Sequence, residues 1–174
     1  EHELDTPRLS ADDLAGMQEK GGDFIILDGR TPEEYHRFSI PGGISCPNAE
    51  LPLRFNDLVT SAETTVVINC AGRTRSIIGA QTLINFGIAN KVIALENGTQ
   101  GWALADRELE YGAKRFPPSG VMAPAMEQAW VRAKSVADRY DLSFVDHDTL
   151  AEWQGGVTRT LYLLDVRSHD EYVG

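Results

Sequence analysis

Three short apolar runs constrain the fold of this chain more than any other feature. They span residues 24–28, 65–69 and 91–95, and each is bounded by turn or helix signals. None alternates apolar with polar residues. A strand of that kind must be covered on both faces, as in a parallel sheet sandwiched between helices. Helical segments fall between the runs. Ser10 stands where it caps a helix over 11–20, with Asp13 placed to complete the cap and Gly21-Gly22 to end it. Thr31-Pro32-Glu33-Glu34 is a second helix start. Asn48 is positioned to cap a helix reaching about 58. A further apolar helix is expected over 75–86, ended by Gly87, and a Gly-rich turn at 96–102 leads into a short helix. Strand and helix alternate, so the fold class is α/β with a largely parallel central sheet.

Ligands of such sheets bind where strands end at their carboxyl side. The strand at 65–69 ends in Cys70, followed by Ala71, Gly72, Arg73, Thr74, Arg75 and Ser76 and then by apolar helix. A thiol is thereby set at a strand end, in front of a helix N-terminus and beside two arginines. The amides and guanidinium groups there favour negative charge, and such surroundings favour the thiolate. The sequence therefore reads as presenting an activated sulfur. Cys46, the only other cysteine, lacks basic neighbours in sequence and reads as structural.

Bulk properties narrow the function classes. The 174 residues carry a formal net charge of −10, with a pI of about 4.8, which argues against a nucleic-acid partner. Two cysteines and four scattered histidines give no metal-ligand spacing, so neither metal nor cofactor is expected. No secretory signal and no apolar run of transmembrane length is present, and a reducing, cytoplasmic setting is the expectation.

The chain also repeats itself. Asp165, Arg167, Glu171 and Tyr172 stand 137 positions after Asp28, Arg30, Glu34 and Tyr35, each set preceded by an apolar run. This suggests tandem duplication. The expected organisation is a first domain over 1–113, a linker (114–120) and helix (124–138) within 114–139, and the opening fragment of a second domain over 140–174. A strand at 143–145 and a helix at 147–154 are expected in that fragment. The apolar run Leu161-Tyr162-Leu163-Leu164 is expected to pack on the first domain or on another copy of the chain, and an open strand edge there would favour self-association.

Four pieces in order then resemble one family. They are Leu27-Asp28-Gly29-Arg30 with Glu33-Glu34-Tyr35, Ile40-Pro41-Gly42-Gly43, the Cys70 loop closing in Arg75-Ser76, and Leu95 through Trp102. Together they resemble the rhodanese (sulfurtransferase) family over residues 8 to about 112, with the truncated echo at 140–174. The resemblance implies a five-stranded, largely parallel sheet flanked by helices. It also implies sulfur transfer through a persulfide on Cys70. The donor would be a small anionic sulfur compound such as thiosulfate, and the acceptor a thiol, cyanide or a protein cysteine. Backbone amides of residues 71–76 would cradle the anionic sulfur, with Arg73 and Arg75 meeting donor oxyanions. One of those arginines has the alternative of tying the loop to a carboxylate. Gly72 lies two residues after the cysteine, where the family's loop often has Gly at three, so the loop does not identify the donor. Two other classes stay open: a non-catalytic binding or regulatory module, and a Cys-based phosphatase or arsenate reductase. The last needs Arg six residues after the nucleophile, where this chain has Ser76.

Overall fold

The structure, a computed structural model, describes residues 5–72, 74–158, 160–167 and 169–174. Arg73 therefore lies outside the described residues. The chain divides into two compact units, one ending at Arg139 and the other spanning Tyr140–Gly174.

In the first unit β1 (Arg8–Leu9), α1 (Ala11–Lys20), β2 (Phe24–Asp28), α2 (Pro32–Arg37), β3 (Ile44–Ser45), α3 (Leu51–Leu58), β4 (Thr65–Asn69), α4 (Thr74–Asn85), β5 (Val92–Leu95), α5 (Gly98–Leu104) and α6 (Ala123–Arg139) follow in order. The strands form one five-stranded sheet in the order β1-β5-β4-β2-β3, with every pairing parallel. The all-apolar strands are explained by this arrangement. Val66 and Ile68 of β4, with Leu27 of β2, join a cluster with Leu51, Phe55, Ala80, Leu83 and Ala129. Val67 and Ile26 point the other way, into a cluster with Leu14, Ala15, Leu95 and Trp102. Alternation along each strand thus feeds two cores, one on each face of the sheet.

The caps form as their residues dictate. Ser10 accepts from Asp13 N and Thr31 from Glu34 N, each in a reciprocal capping box, and Gly21 ends α1 in the left-handed conformation at φ 66°. Asn48 does not cap α3. That helix begins at Leu51, and its N-cap position, Glu50, makes no side-chain cap bond. The Asn48 amide is instead committed to the functional loop described below. The edge strands β1 and β3 are two residues each, too short to leave a periodic signal.

The second unit holds α7 (His147–Gly155), capped by Asp146 accepting from Thr149 N, and α8 (His169–Val173). The expected strand at 143–145 does not form, and no strand occurs among the described residues of this unit. Tyr162, Leu163 and Leu164 are exposed. A sheet position has no meaning without neighbouring strands to supply ladder bonds, and this unit supplies none. The turn at Asp165 nevertheless repeats the first unit's. Arg167 N and Nε donate to Asp165 Oδ1 and Nη2 to Oδ2, the same three bonds that Arg30 makes to Asp28.

Candidate active site

Strand order locates the site. From β2 the chain moves outward to β3, and from the adjacent β4 it moves the opposite way to β5. Connections that diverge from neighbouring carboxyl ends open a crevice there. Asp28 and Asn69 end β2 and β4 in register with each other, and Cys70 follows Asn69 directly.

Below the crevice lies a buried polar girder. The Asp28 carboxylate accepts from Arg30 Nε at 2.9 Å, Arg30 Nη2 at 2.8 Å and Asn69 Nδ2 at 2.7 Å. Arg30 Nη2 also donates to Phe38 O at 2.7 Å, and its guanidinium carbon stands 5.2 Å from the centre of the Phe38 ring. Arg30 and Asp28 are both 1 % exposed. A charge pair this buried holds only when its hydrogen bonds are made, and here they are. The pair is structural, as its recurrence at Asp165 and Arg167 suggests.

The Cys70 loop is anchored at both ends. At its start, Thr99 N donates to Cys70 O at 2.8 Å and Gln100 N to Ala71 O at 2.9 Å. At its end, Arg75 Nη1 and Nη2 donate to Glu34 Oε2 and Oε1, each at 2.7 Å. Of the two arginines in the loop, Arg75 is thus the one that ties it to a carboxylate, and this bidentate pair occupies the guanidinium that sequence reading offered to a donor oxyanion. The Arg75 carbonyl accepts from Asn48 Nδ2 at 2.8 Å. Asn48 fits because Gly29 and Gly79 flank it: a Cβ at either would overlap its Oδ1. Ser76 is buried, and its Oγ donates to Leu95 O at 3.0 Å. Thr74 is exposed at the start of α4, and Ala71 and Gly72 are half-buried. The opening turn of α4 has N–H groups with no acceptor inside the helix, which favours negative charge at this end.

Cys70 itself is 1 % exposed. The sequence reading of a presented sulfur is corrected here: the residue is buried. Cys46 is fully buried, and burial, reinforced by the Glu50 charge, pushes its thiol up to about 12. It is a core residue, as expected. Arg54 donates to Glu50, Pro118 O and Gly120 O.

The sequence model of the rhodanese-like domain matches residues 10–105. The chain belongs to the rhodanese-like family. Its fold is also that of a crystal structure described as a thiosulfate sulfurtransferase from Pseudomonas aeruginosa, with 47 % identity, TM-score 0.89 and 98 % of this chain covered. The chain spans about a third of that protein's length, 32 %. A rhodanese-related protein from Thermoplasma volcanium matches 60 % of this chain and 97 % of its own at 23 % identity and TM-score 0.52, which is likeness of fold. A protein of unknown function from Rhodopseudomonas palustris, described as a possible tyrosine phosphatase, matches at 27 % identity and TM-score 0.52, over 60 % of this chain and 85 % of the other. No curated protein matches the chain.

Three residues of this rhodanese-like site escaped sequence reading. Glu34 was legible as a member of the repeat and as the capping partner of Thr31, a local role that its Oε2 does fill. Its second role spans 41 positions and has no periodic trace. Asn48 signals itself only through the two glycines that make room for it. Thr99 lies in a Gly-rich turn whose contact with Cys70 is purely tertiary. No described helix is long and apolar enough to cross a membrane.

Proposed function

We propose that this rhodanese-like chain is a sulfurtransferase domain that carries sulfane sulfur on Cys70. The observation that supports it most is the placement of this thiol directly after the central strand. It opens a loop whose far end is held by Glu34 and Asn48 and which runs into the start of α4. The Cys70 thiolate attacks the outer sulfur of thiosulfate, the sulfur–sulfur bond breaks, and sulfite leaves with its electron pair. The resulting persulfide anion is held by N–H groups of residues 71–76. A thiophile then attacks the outer sulfur and regenerates the thiolate; with cyanide the product is thiocyanate. Two half-reactions on one carrier give ping-pong kinetics. Residues 140–174 repeat a segment of the first domain, a reading supported by the second Asp-x-Arg turn.

One observation favours a second reading. A thiol at 1 % exposure meets no donor unless the loop yields, which suits a non-catalytic binding module. A phosphatase reading is weakened because the sole described arginine of the loop is bound to Glu34. Intact mass after excess thiosulfate separates these readings. One added sulfur on Cys70, discharged by cyanide and absent in Cys70→Ser, is the expected result. No uptake by the folded wild type would leave the binding module, and turnover of an aryl phosphate would revive the phosphatase.

A further inference from the structure

The turn that opens α5 hydrogen-bonds to two carbonyls of the Cys70 loop. Thr99 N and Gln100 N donate to Cys70 O and Ala71 O at 2.8 and 2.9 Å. The Thr99 hydroxyl lies 3.3 and 3.2 Å from the same two oxygens, and its single proton is shared between them. Thr99 is 1 % exposed, so these bonds do not compete with water. The approach is very close: Gly98 sits at φ 51°, and a Cβ there would overlap the Cys70 carbonyl oxygen.

A planar trans peptide carries its C=O and N–H on opposite sides. Fixing the Cys70 and Ala71 carbonyls toward α5 therefore fixes the N–H groups of Ala71 and Gly72 away from it. We propose that Thr99 and Gln100 are positioning residues, whose grip on two carbonyls aims the Ala71 and Gly72 N–H groups at the charged sulfur of Cys70. The inference rests on the reading of Cys70 as the sulfur carrier. It extends that reading by assigning the polarity of the cradle to a segment 28 or more positions downstream. Without the grip, either peptide unit could turn over and face the sulfur with a carbonyl, which repels an anion. Nothing in the loop's own sequence prevents this, since Gly72 tolerates either orientation.

The test reads the pH profile of Cys70 alkylation by iodoacetamide, resolved from Cys46 by digestion, in the whole chain. Thr99→Val keeps side-chain shape and both backbone donors but removes the hydroxyl. Thr99→Ser keeps the hydroxyl. Gly98→Ala pushes the turn off the Cys70 carbonyl. Gly98→Ala is expected to move the profile to higher pH by about one unit, a tenfold loss of thiolate below the midpoint. Thr99→Val should move it the same way by less, with Thr99→Ser restoring the wild-type profile. Profiles that superimpose in folded Gly98→Ala and Thr99→Val would overturn the proposal, as would a Thr99→Ser shift equal to that of Thr99→Val. If Gly98→Ala does not fold, the Thr99 pair decides. A wild type that takes no sulfur from thiosulfate would sink the carrier reading while leaving this profile readable. Sulfur uptake with unmoved profiles would sink only the positioning role.

Discussion

Glu34 and Arg75 face each other as fork to fork, with two bonds of 2.7 Å joining residues 41 positions apart. The same carboxylate accepts from Thr31 N at 3.2 Å, so one side chain closes the start of α2 and holds the end of the Cys70 loop. Both members are partly exposed, which limits the pair to about 1 kcal/mol of stability. Glu34→Gln should therefore lower Tm by only about 2–4 °C in a chain of this size. Its effect on the loop should be larger, slowing sulfur uptake from thiosulfate by about fivefold or more. Arg75→Lys should behave alike, because an ammonium cannot match both oxygens. A lowered Tm with an unchanged uptake rate would make the pair purely structural.

The pair also sets a pH dependence. The Arg75 guanidinium, helped by the Thr31 amide, holds the Glu34 carboxyl down at about 2, from an ordinary 4.5. A depressed folded-state value means that the unfolded chain binds the proton first as pH falls. The contribution is complete above the unfolded carboxylate range and is lost between about pH 5 and pH 2. Acid titration of Tm should show wild type and Glu34→Gln converging across that window. A constant gap from pH 7 down to pH 2 would contradict the assignment.

Legibility in the sequence follows the range of each interaction. The apolar strands, the capping boxes at Ser10 and Thr31, and the left-handed end of α1 are local, and they stand where the residues put them. The fold class needs only their alternation. Cys70 was legible because strand, loop and helix start are contiguous. The anchors of that loop were not, since Glu34, Asn48 and Thr99 act across 27 to 41 positions and no pattern links them to Cys70. The two-residue strands β1 and β3 were equally silent: they exist only because a longer neighbour offers them a ladder. The burial of Cys70 was silent for the same reason, because it depends on tertiary packing that the loop's composition does not encode.

The repeated Asp-x-Arg turn gives a matched experiment. Arg30 and Asp28 are each 1 % exposed, whereas the side chains of Arg167 and Asp165 are 55 % and 33 % exposed. Arg30→Ala leaves the Asp28 carboxylate in the core with only Asn69 Nδ2 and the Arg30 backbone amide as donors. Breaking one side of such a pair costs about 3–5 kcal/mol. Arg167→Ala removes the same bonds from solvent-facing groups and should cost within about 0.5 kcal/mol. Denaturant titration of the two variants checks both. Equal costs would show that burial is not what distinguishes the two turns.

The two thiols should separate sharply in reactivity. Cys46 lies fully buried, with its thiol pushed up to about 12 by burial and then by Glu50, so little thiolate forms near neutral pH. Iodoacetamide at pH 8 should leave it unmodified in the native chain and label it in denaturant. Cys70 is also buried, at 1 % exposure, but a sulfur carrier must meet its donor, so native labelling is expected there. Cys46→Ala should keep full sulfur uptake and lose a small amount of stability, of order 1 kcal/mol for the atoms removed. Cys70→Ser should lose all uptake with Tm nearly unchanged. A native Cys70 that resists both iodoacetamide and thiosulfate, in protein that labels fully once unfolded, would mean that the loop stays closed and that this domain binds without reacting.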